Sequence, residues 1–319
     1  MPAPHMVSVI IPYLNQGQRL LDAVMSVEAQ SYPHLEILVV DDGSLGMPAA
    51  QVLGRRTVRP LRILRHPMHA GQAAAKNSGS ARSSGQLLVF LDADDMIADK
   101  FVESAVSAIS ANPGTDIVYA GSCTFGGFSE ALAAKVTVPG LLSGEEPPRT
   151  FLCTRALHNL LSGYATNLKF AENSDYWLRA LLAGKQPFKL DAPLSLCRVG
   201  EGTRSAGRDN SRRIVAELLE EHGDLYKRNM EAVLVEQKRK HLDYRALSYR
   251  LRVDTELLRQ ELNERHQALS EDNMRRAHND VGAEHSYFEA DPESKPSILS
   301  RWSSLFTSRT ATSKQTRSG

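Results

Sequence analysis

The chain has 319 residues, of which 42% are hydrophobic and 24% are charged, and its 38 basic and 37 acidic side chains leave a net charge of +1. This composition provides a sizeable core and excludes a fully disordered chain, while the balanced charge excludes a general attraction to nucleic acid. The three cysteines are too few and too widely spaced for a disulfide framework or a zinc ribbon, and they are typical of a reducing compartment. No apolar run approaches the ~20 residues that span a bilayer, and the N-terminus lacks a signal-peptide pattern. We therefore expect a cytoplasmic protein without a transmembrane segment.

Residues 7–120 alternate between apolar runs and helical patterns. The spacing of apolar residues predicts helices over 20–27, 70–84 and 101–109. The runs that predict strands are Val7–Ile11 (ending at Pro12), Leu35–Val40, Leu61–Leu64, Leu87–Leu91 and Ile117–Tyr119. This alternation predicts an α/β fold with a mixed, mostly parallel sheet covered by helices on both faces.

Polar residues follow three of the predicted strands. They are Tyr13–Asn15, Asp41–Asp42 and Asp92–Asp95. The carboxyl ends of parallel strands meet at one edge of a sheet, and ligands bind at that edge in open α/β folds. We therefore expect the three clusters to form one site.

The pair Asp92 and Asp94 predicts a cation site. Side chains at i and i+2 of an extended backbone point the same way, and two aligned carboxylates repel one another unless a cation lies between them. Oxygen ligands suit Mg²⁺ or Mn²⁺, and such ions usually hold a phosphate as well. The alternative is that the carboxylates only cap the helix that starts near Lys100, and Asp41–Ser44 taken alone is typical of an ordinary turn.

Two common phosphate-binding motifs are absent from the sequence. The first strand is followed by Pro12-Tyr-Leu-Asn-Gln-Gly17, which is not the Gly-x-Gly-x-x-Gly of a dinucleotide-binding domain, and there is no P-loop. The basic residues form no stripe interleaved with aromatic residues, so we expect no nucleic-acid partner.

The chain changes character after residue 120. Residues 121–208 are less regular, with one clear helix at 175–182, and residues 209–280 are charged and nearly free of Gly and Pro. An interrupted heptad in this last stretch predicts either a coiled coil that forms a homodimer or helices packed on the first domain; its residues are Leu251, Leu258, Leu262 and Leu269. From residue 283 onward Ser and Thr dominate, which predicts a disordered tail.

Five segments resemble, in order and spacing, the family 2 glycosyltransferases. They are Val7-Ser-Val-Ile-Ile-Pro-Tyr-Leu-Asn15, Ser26-Val-Glu-Ala-Gln-Ser-Tyr-Pro33, Glu36-Ile-Leu-Val-Val-Asp-Asp-Gly-Ser44, Ala75-Lys-Asn77 with Gly79, and Gly85-Gln-Leu-Leu-Val-Phe-Leu-Asp-Ala-Asp-Asp95. The resemblance implies the GT-A fold of nucleotide-diphospho-sugar transferases. It gives a domain over 5–208, with a nucleotide half at 7–120 and an acceptor half at 121–208, followed by a helical extension at 209–282 and a tail at 283–319.

The resemblance also implies roles for individual residues. Pro12, Tyr13, Leu14 and Asn15 would line the nucleotide pocket, and Asp42 would hydrogen-bond the base, usually uracil. Lys76 stands near the nucleotide, where the family often has Arg. The sequence Asp92-Ala-Asp94 is similar to the DxD motif, with Asp94 as direct ligand of Mn²⁺ or Mg²⁺ and Asp92 beside it.

The acceptor half departs from the family pattern at the catalytic base. The family usually carries Glu-Asp before an aromatic-Leu-Arg helix, with the Asp as base, whereas this chain reads Glu172-Asn-Ser-Asp-Tyr-Trp-Leu-Arg179. Asn173 cannot accept a proton usefully, so either Glu172 or Asp175 is the expected base. The usual His after this helix is also missing from Cys197-Arg-Val-Gly-Glu201, which leaves Arg198 as a candidate diphosphate contact.

These motifs together predict a metal-dependent inverting glycosyltransferase of polysaccharide biosynthesis. It would move a sugar from a nucleotide-sugar, in particular a UDP-sugar, to a glycan, a lipid-linked saccharide or a protein. The alternative, motivated by Asn173, is a non-catalytic module that binds nucleotide-sugar and serves as a partner-binding subunit. Peripheral contact with the inner face of the membrane is left open, because the mixed charge of the helical part gives no positive sign of it.

Overall fold

The computed structural model of the protein describes residues 5–54, 59–125, 130–131, 135–198 and 203–242, together with residues 256, 259–260 and 263–264. The chain divides into one unit of residues 1–246 and a second of residues 247–319. The elements named below all belong to the first unit. The predicted heptad leucines and the Ser- and Thr-rich tail lie outside the described residues.

Two sheets organise the described strands. The strands are β1 (Val7–Tyr13), β2 (Leu35–Asp41), β3 (Leu61–Arg65), β4 (Leu87–Phe90), β5 (Met96–Ile97), β6 (Ile117–Tyr119), β7 (Ser122–Phe125), β8 (Glu130–Ala131), β9 (Phe151–Thr154), β10 (Phe188–Lys189) and β11 (Ser195–Arg198). The larger sheet has the order β10-β6-β9-β4-β1-β2-β3, and β9 runs antiparallel to both β4 and β6 while the other pairs are parallel. The smaller sheet has the order β5-β11-β7-β8. The predicted mixed, mostly parallel sheet is confirmed.

The middle strands β1, β2 and β4 are buried along their whole length, as strands covered on both faces must be. Val9 and Ile11 pack on one face of the sheet and Ile10 on the other. The first strand does not end at Pro12, as predicted, but continues to Tyr13. Because β4 pairs with β1 only as far as Ile10, no strand lies opposite the proline on that side, and its missing N–H leaves no gap in the ladder.

Helices cover both faces of the larger sheet. They are α1 (Arg19–Glu28), α2 (Ala49–Leu53), α3 (Gln72–Arg82), α4 (Phe101–Ala111), α5 (Val138–Leu142), α6 (Arg155–Leu160), α7 (Glu172–Leu182), α8 (Thr203–Glu221) and α9 (residues 223–242). Leu20 of α1 and Phe101 of α4 are buried in the core of one face, and Ala75 of α3 and Trp177 of α7 in the core of the other. This arrangement of layers is the one predicted from the alternation of strands and helices.

The helices α8 and α9 pack on the same face as α7. Ile214 and Leu218 of α8 and Val233 of α9 are buried in the cluster that contains Trp177, and the hydroxyl of Tyr226 donates to the Leu142 carbonyl at 2.7 Å. Among the described residues, no helix is both long and apolar enough to span a membrane.

Candidate functional site

A cleft of about 810 Å³ lies at the carboxyl ends of β1, β2 and β4. Its walls come from Pro12–Leu14 after β1, Asp42 after β2, His69–Ala73 at the start of α3, and Asp92–Asp94 after β4. Segment 166–172 at the start of α7 closes the other side. The three polar clusters therefore meet in one cleft, as their positions after the strands led us to expect.

Asn15 supports the cleft without lining it. The residue adopts a left-handed backbone with φ of 57°, a conformation that Asn tolerates better than most residues. Its backbone N–H donates to Ser44 Oγ at 3.1 Å, and its side-chain oxygen accepts from Gly46 N at 3.2 Å. Asn15 thus ties the end of β1 to the loop after β2.

The buried carboxylate of Asp42 accepts hydrogen bonds from four donors of the protein itself. It accepts hydrogen bonds from the backbone N–H groups of Ala70 (2.9 Å) and Gly71 (2.8 Å). It also accepts hydrogen bonds from the Nδ1 atoms of His66 (2.6 Å) and His69 (2.7 Å). Although burial opposes the charged form, these hydrogen bonds hold the pKa of Asp42 below its ordinary value. The ionised carboxylate thus fixes the loop that leads into α3.

The two aspartates after β4 have different surroundings. Asp92 Oδ1 accepts from Gln72 Nε2 and lies 3.7 Å from Lys76 Nζ, whereas no described residue pairs with the carboxylate of Asp94. Asp95 behind them is buried, and burial together with Asp92 and Asp94 raises its pKa to about 7. No group of three or more His, Cys, Asp or Glu side chains suited to a metal ion occurs in the described part of the chain. A cation in this cleft would therefore need further ligands from another molecule.

Lys76 on α3 occupies a buried position beside the cleft. Its ammonium group donates to the side-chain oxygen of Asn173 at 3.0 Å and lies 4.9 Å from the centre of the Tyr164 ring. Asn173, at the position where the family usually has its catalytic base, is therefore a partner of a buried cation.

Glu172 lines both the 810 Å³ cleft and an adjoining cavity of about 200 Å³. Its side chain is buried, and its Oε2 has no hydrogen-bond partner among the described residues. Burial, and then the nearby charges of Asp92 and Glu217, raise the pKa of Glu172 above its ordinary value, against the lowering effect of Lys76. The Glu172 side chain thus lines the cleft while its Oε2 is buried without a partner among the described residues, and a carboxylate of raised pKa at such a place can accept a proton from a bound hydroxyl group.

Asp175 lies one turn further along α7 and lines neither cavity. It pairs with Arg179 at 2.6 Å and with His222 Nε2 at 2.9 Å. Burial opposes ionisation, but the hydrogen bonds from His222 and Arg179 hold the pKa of Asp175 below its ordinary value. Both features make this carboxylate a poor proton acceptor and a good structural anchor.

Arg198 is also away from the cleft. Its backbone N–H donates to Asp95, its Nε to the Asp94 carbonyl, and its guanidinium pairs with Asp22 at 2.9 Å. It therefore connects β11 to the loop after β4.

Several side chains of the cleft were not predicted from the sequence, and His69, Gln72 and Arg149 are among them. Although burial opposes the charged form, Asp92, Glu146 and Asp95 hold the pKa of Arg149 above its ordinary value, so the cleft contains a permanent positive charge. Arg149 follows an irregular, proline-containing segment without a motif, so no sequence pattern could have marked it.

The sequence model described as glycosyl transferase family 2 matches residues 8–166. An uncharacterized glycosyltransferase of Haemophilus influenzae is 24% identical over 219 residues, which are 65% of this chain and 72% of that protein. Glycosyltransferase AglE of Haloferax volcanii is 37% identical over 117 residues, which are 35% of this chain and 38% of that protein.

Solved structures share the fold. S. aureus TarS 1–349 superposes with a TM-score of 0.57 at 20% identity, covering 75% of this chain and 72% of that one. The same protein in complex with UDP-GlcNAc gives 0.55 at 21% identity, over 67% and 66% of the two chains. The mannosyltransferase PcManGT of Pyrobaculum calidifontis, in complex with GDP-Man and Mn²⁺, gives 0.52 at 20% identity, over 66% and 61%.

The fold is the GT-A fold that these structures share, and the cleft lies at its strand ends. The chain belongs to glycosyl transferase family 2, as the five ordered segments predicted.

Proposed function

We propose that this glycosyltransferase moves a sugar from a nucleotide-sugar, in particular a UDP-sugar, to a hydroxyl group of a glycan, a lipid-linked saccharide or a protein, with inversion at the anomeric carbon. The observation that carries the proposal is that one cleft combines the strand-end aspartates with a carboxylate whose Oε2 is unpartnered. The complexes of TarS with UDP-GlcNAc and of PcManGT with GDP-Man support a nucleotide-sugar donor.

The donor would lie along the cleft with its base near the ends of β1 and β2 and its diphosphate near Asp92–Asp94. Asp94 is the better candidate for a direct bond to Mn²⁺ or Mg²⁺, because Asp92 already accepts from Gln72. Oxygen donors of this kind fit either ion, and the diphosphate would complete the ligand set. Such an ion neutralises charge on the leaving diphosphate, and Arg149 adds a second positive charge on the same cleft.

Glu172 is the proposed general base. In a single displacement, the acceptor hydroxyl attacks the anomeric carbon, the bond to the diphosphate breaks, and the hydroxyl proton passes to the Glu172 carboxylate. The adjoining cavity of about 200 Å³ also touches Glu172, and it offers the acceptor a way to the reacting atoms. Asp175 is the weaker candidate for this role, because Arg179 and His222 hold its carboxylate.

Binding of UDP measured by calorimetry with and without Mn²⁺ tests the donor site. Asp94→Ala is expected to abolish the Mn²⁺-dependent part of UDP binding while the protein unfolds at the same temperature. Asp99→Asn, which changes an exposed carboxylate five residues later in the chain, is the control and is expected to bind like the wild type. Metal-dependent binding that survives in Asp94→Ala would contradict the assignment.

A further inference from the structure

The helix α8 lies beyond residues 8–166, to which the family model extends, but it holds the start of α7. Glu217 of α8 accepts three successive backbone N–H groups, from Lys169 (3.1 Å), Phe170 (2.9 Å) and Ala171 (3.0 Å). The next residue of the chain is Glu172.

The first turn of α7 lacks a cap of its own. Its N-cap residue is Ala171, which has no side-chain oxygen to accept the free N–H groups of the first turn. The Glu217 carboxylate brings acceptors and a negative charge to this end of the helix, where the helix dipole favours both. A residue 46 positions later in the chain thus holds the segment that leads into α7, up to the N–H of the N-cap residue itself.

Two further contacts connect α8 to the same region. At its C-terminal end, His222 donates from Nε2 to Asp175 on α7 at 2.9 Å. At its other end, Asn210 donates to Glu146 at 3.2 Å, and Glu146 in turn pairs with Arg149 of the cleft at 3.3 Å. Asn210 and Ile214 also form part of the wall of the 200 Å³ cavity next to Glu172.

Resting on the function proposed above, we infer that α8 is part of the active site and that Glu217 is a positioning residue for the base Glu172. By fixing the backbone at 169–171, Glu217 holds the Glu172 carboxylate at the junction of the cleft and the adjoining cavity. Its negative charge also opposes ionisation of Glu172, whereas the Lys76 ammonium group favours it and Asp92 opposes it. The helical extension is then required for turnover and not only for stability.

The test compares Glu217→Gln, which removes the charge, and Glu217→Asp, which keeps the charge but shortens the reach, with Glu220→Gln, an exposed control on the same helix. The readouts are nucleoside diphosphate release from the UDP-sugar that the wild type hydrolyses fastest, the Kd of UDP, and the pH profile of kcat/KM. Both Glu217 variants should lose roughly tenfold or more in kcat, since small displacements of a catalytic group are costly, with the Kd of UDP unchanged. In Glu217→Gln the acid limb should also move to lower pH, because the pKa of Glu172 falls when the neighbouring charge is removed.

The inference is overturned if Glu217→Gln matches Glu220→Gln in both kcat and pH profile. It is also overturned if the Glu217 variants lose UDP binding and thermal stability together with turnover, because the role would then be general folding. Glu172→Gln, measured in parallel, distinguishes an error in the base assignment from an error in the role of Glu217. Full turnover in that variant removes the base assignment itself, whereas an inactive Glu172→Gln beside a fully active Glu217→Gln removes only the role of Glu217.

Discussion

Asp42 has contacts within the protein that its motif does not reveal. The resemblance implies that this carboxylate hydrogen-bonds the nucleobase, and in the structure its two oxygens accept hydrogen bonds from two backbone N–H groups and two histidines. Because the ionised carboxylate only accepts hydrogen bonds, each histidine must donate from Nδ1, and the acceptor lone pair of the corresponding neutral tautomer of His69 is on Nε2. The His69 side chain is 61% exposed and lines the cleft, and we propose that its Nε2 accepts the N–H of a uracil ring.

His69→Phe is therefore expected to weaken UDP binding about fivefold, corresponding to the ~1 kcal/mol of one hydrogen bond. Calorimetric titration with UDP measures the effect. His34→Phe, the same change at an exposed histidine outside the cleft, is the control. Equal affinities in the two variants would show that the base is bound without His69.

At the scale of elements, the packing of α3 on the central sheet sets the position of the cleft. Gly79 on α3 faces the middle strands so closely that an added Cβ would lie 2.5 Å from Ile10 Cγ2 and 3.1 Å from Val40 Cγ2. The same helix carries Lys76 and begins beside the loop that Asp42 fixes. The close approach of helix and sheet therefore keeps the nucleotide side of the cleft in place.

Gly79→Ala should destabilise the protein by about 1–3 kcal/mol, because two β-branched side chains at the centre of a packed sheet must move. The midpoint of urea unfolding reports the loss. Gly223→Ala, at a helical glycine with open space around it, serves as the matched control and is expected to lose no stability. Identical midpoints in the two variants would mean that α3 can shift without cost.

For the molecule as a whole, the sequence patterns predicted the sheet, its helical layers and the family. Strands buried on both faces are continuous apolar runs, and the strand-end clusters have fixed places in such a fold. The choice between Glu172 and Asp175 could not be made in this way, because it depends on His222, which lies 47 residues after Asp175 in the chain. Glu217 and Arg149 were missed for the same reason, since each acts through tertiary contacts that no local pattern records.

Turnover by Glu172→Gln and Asp175→Asn, measured as nucleoside diphosphate release from a panel of UDP-, GDP- and dTDP-sugars with Mn²⁺, tests whether Glu172 is the general base. Loss of a general base typically costs 10²–10⁴-fold in rate, so Glu172→Gln should fall by roughly that factor while its Kd for UDP is unchanged. Asp175→Asn should keep much more of its activity, with a lower unfolding temperature because Arg179 and His222 lose an ionised partner. Wild-type release by Glu172→Gln, or a larger loss of rate in a folded Asp175→Asn, would contradict the account.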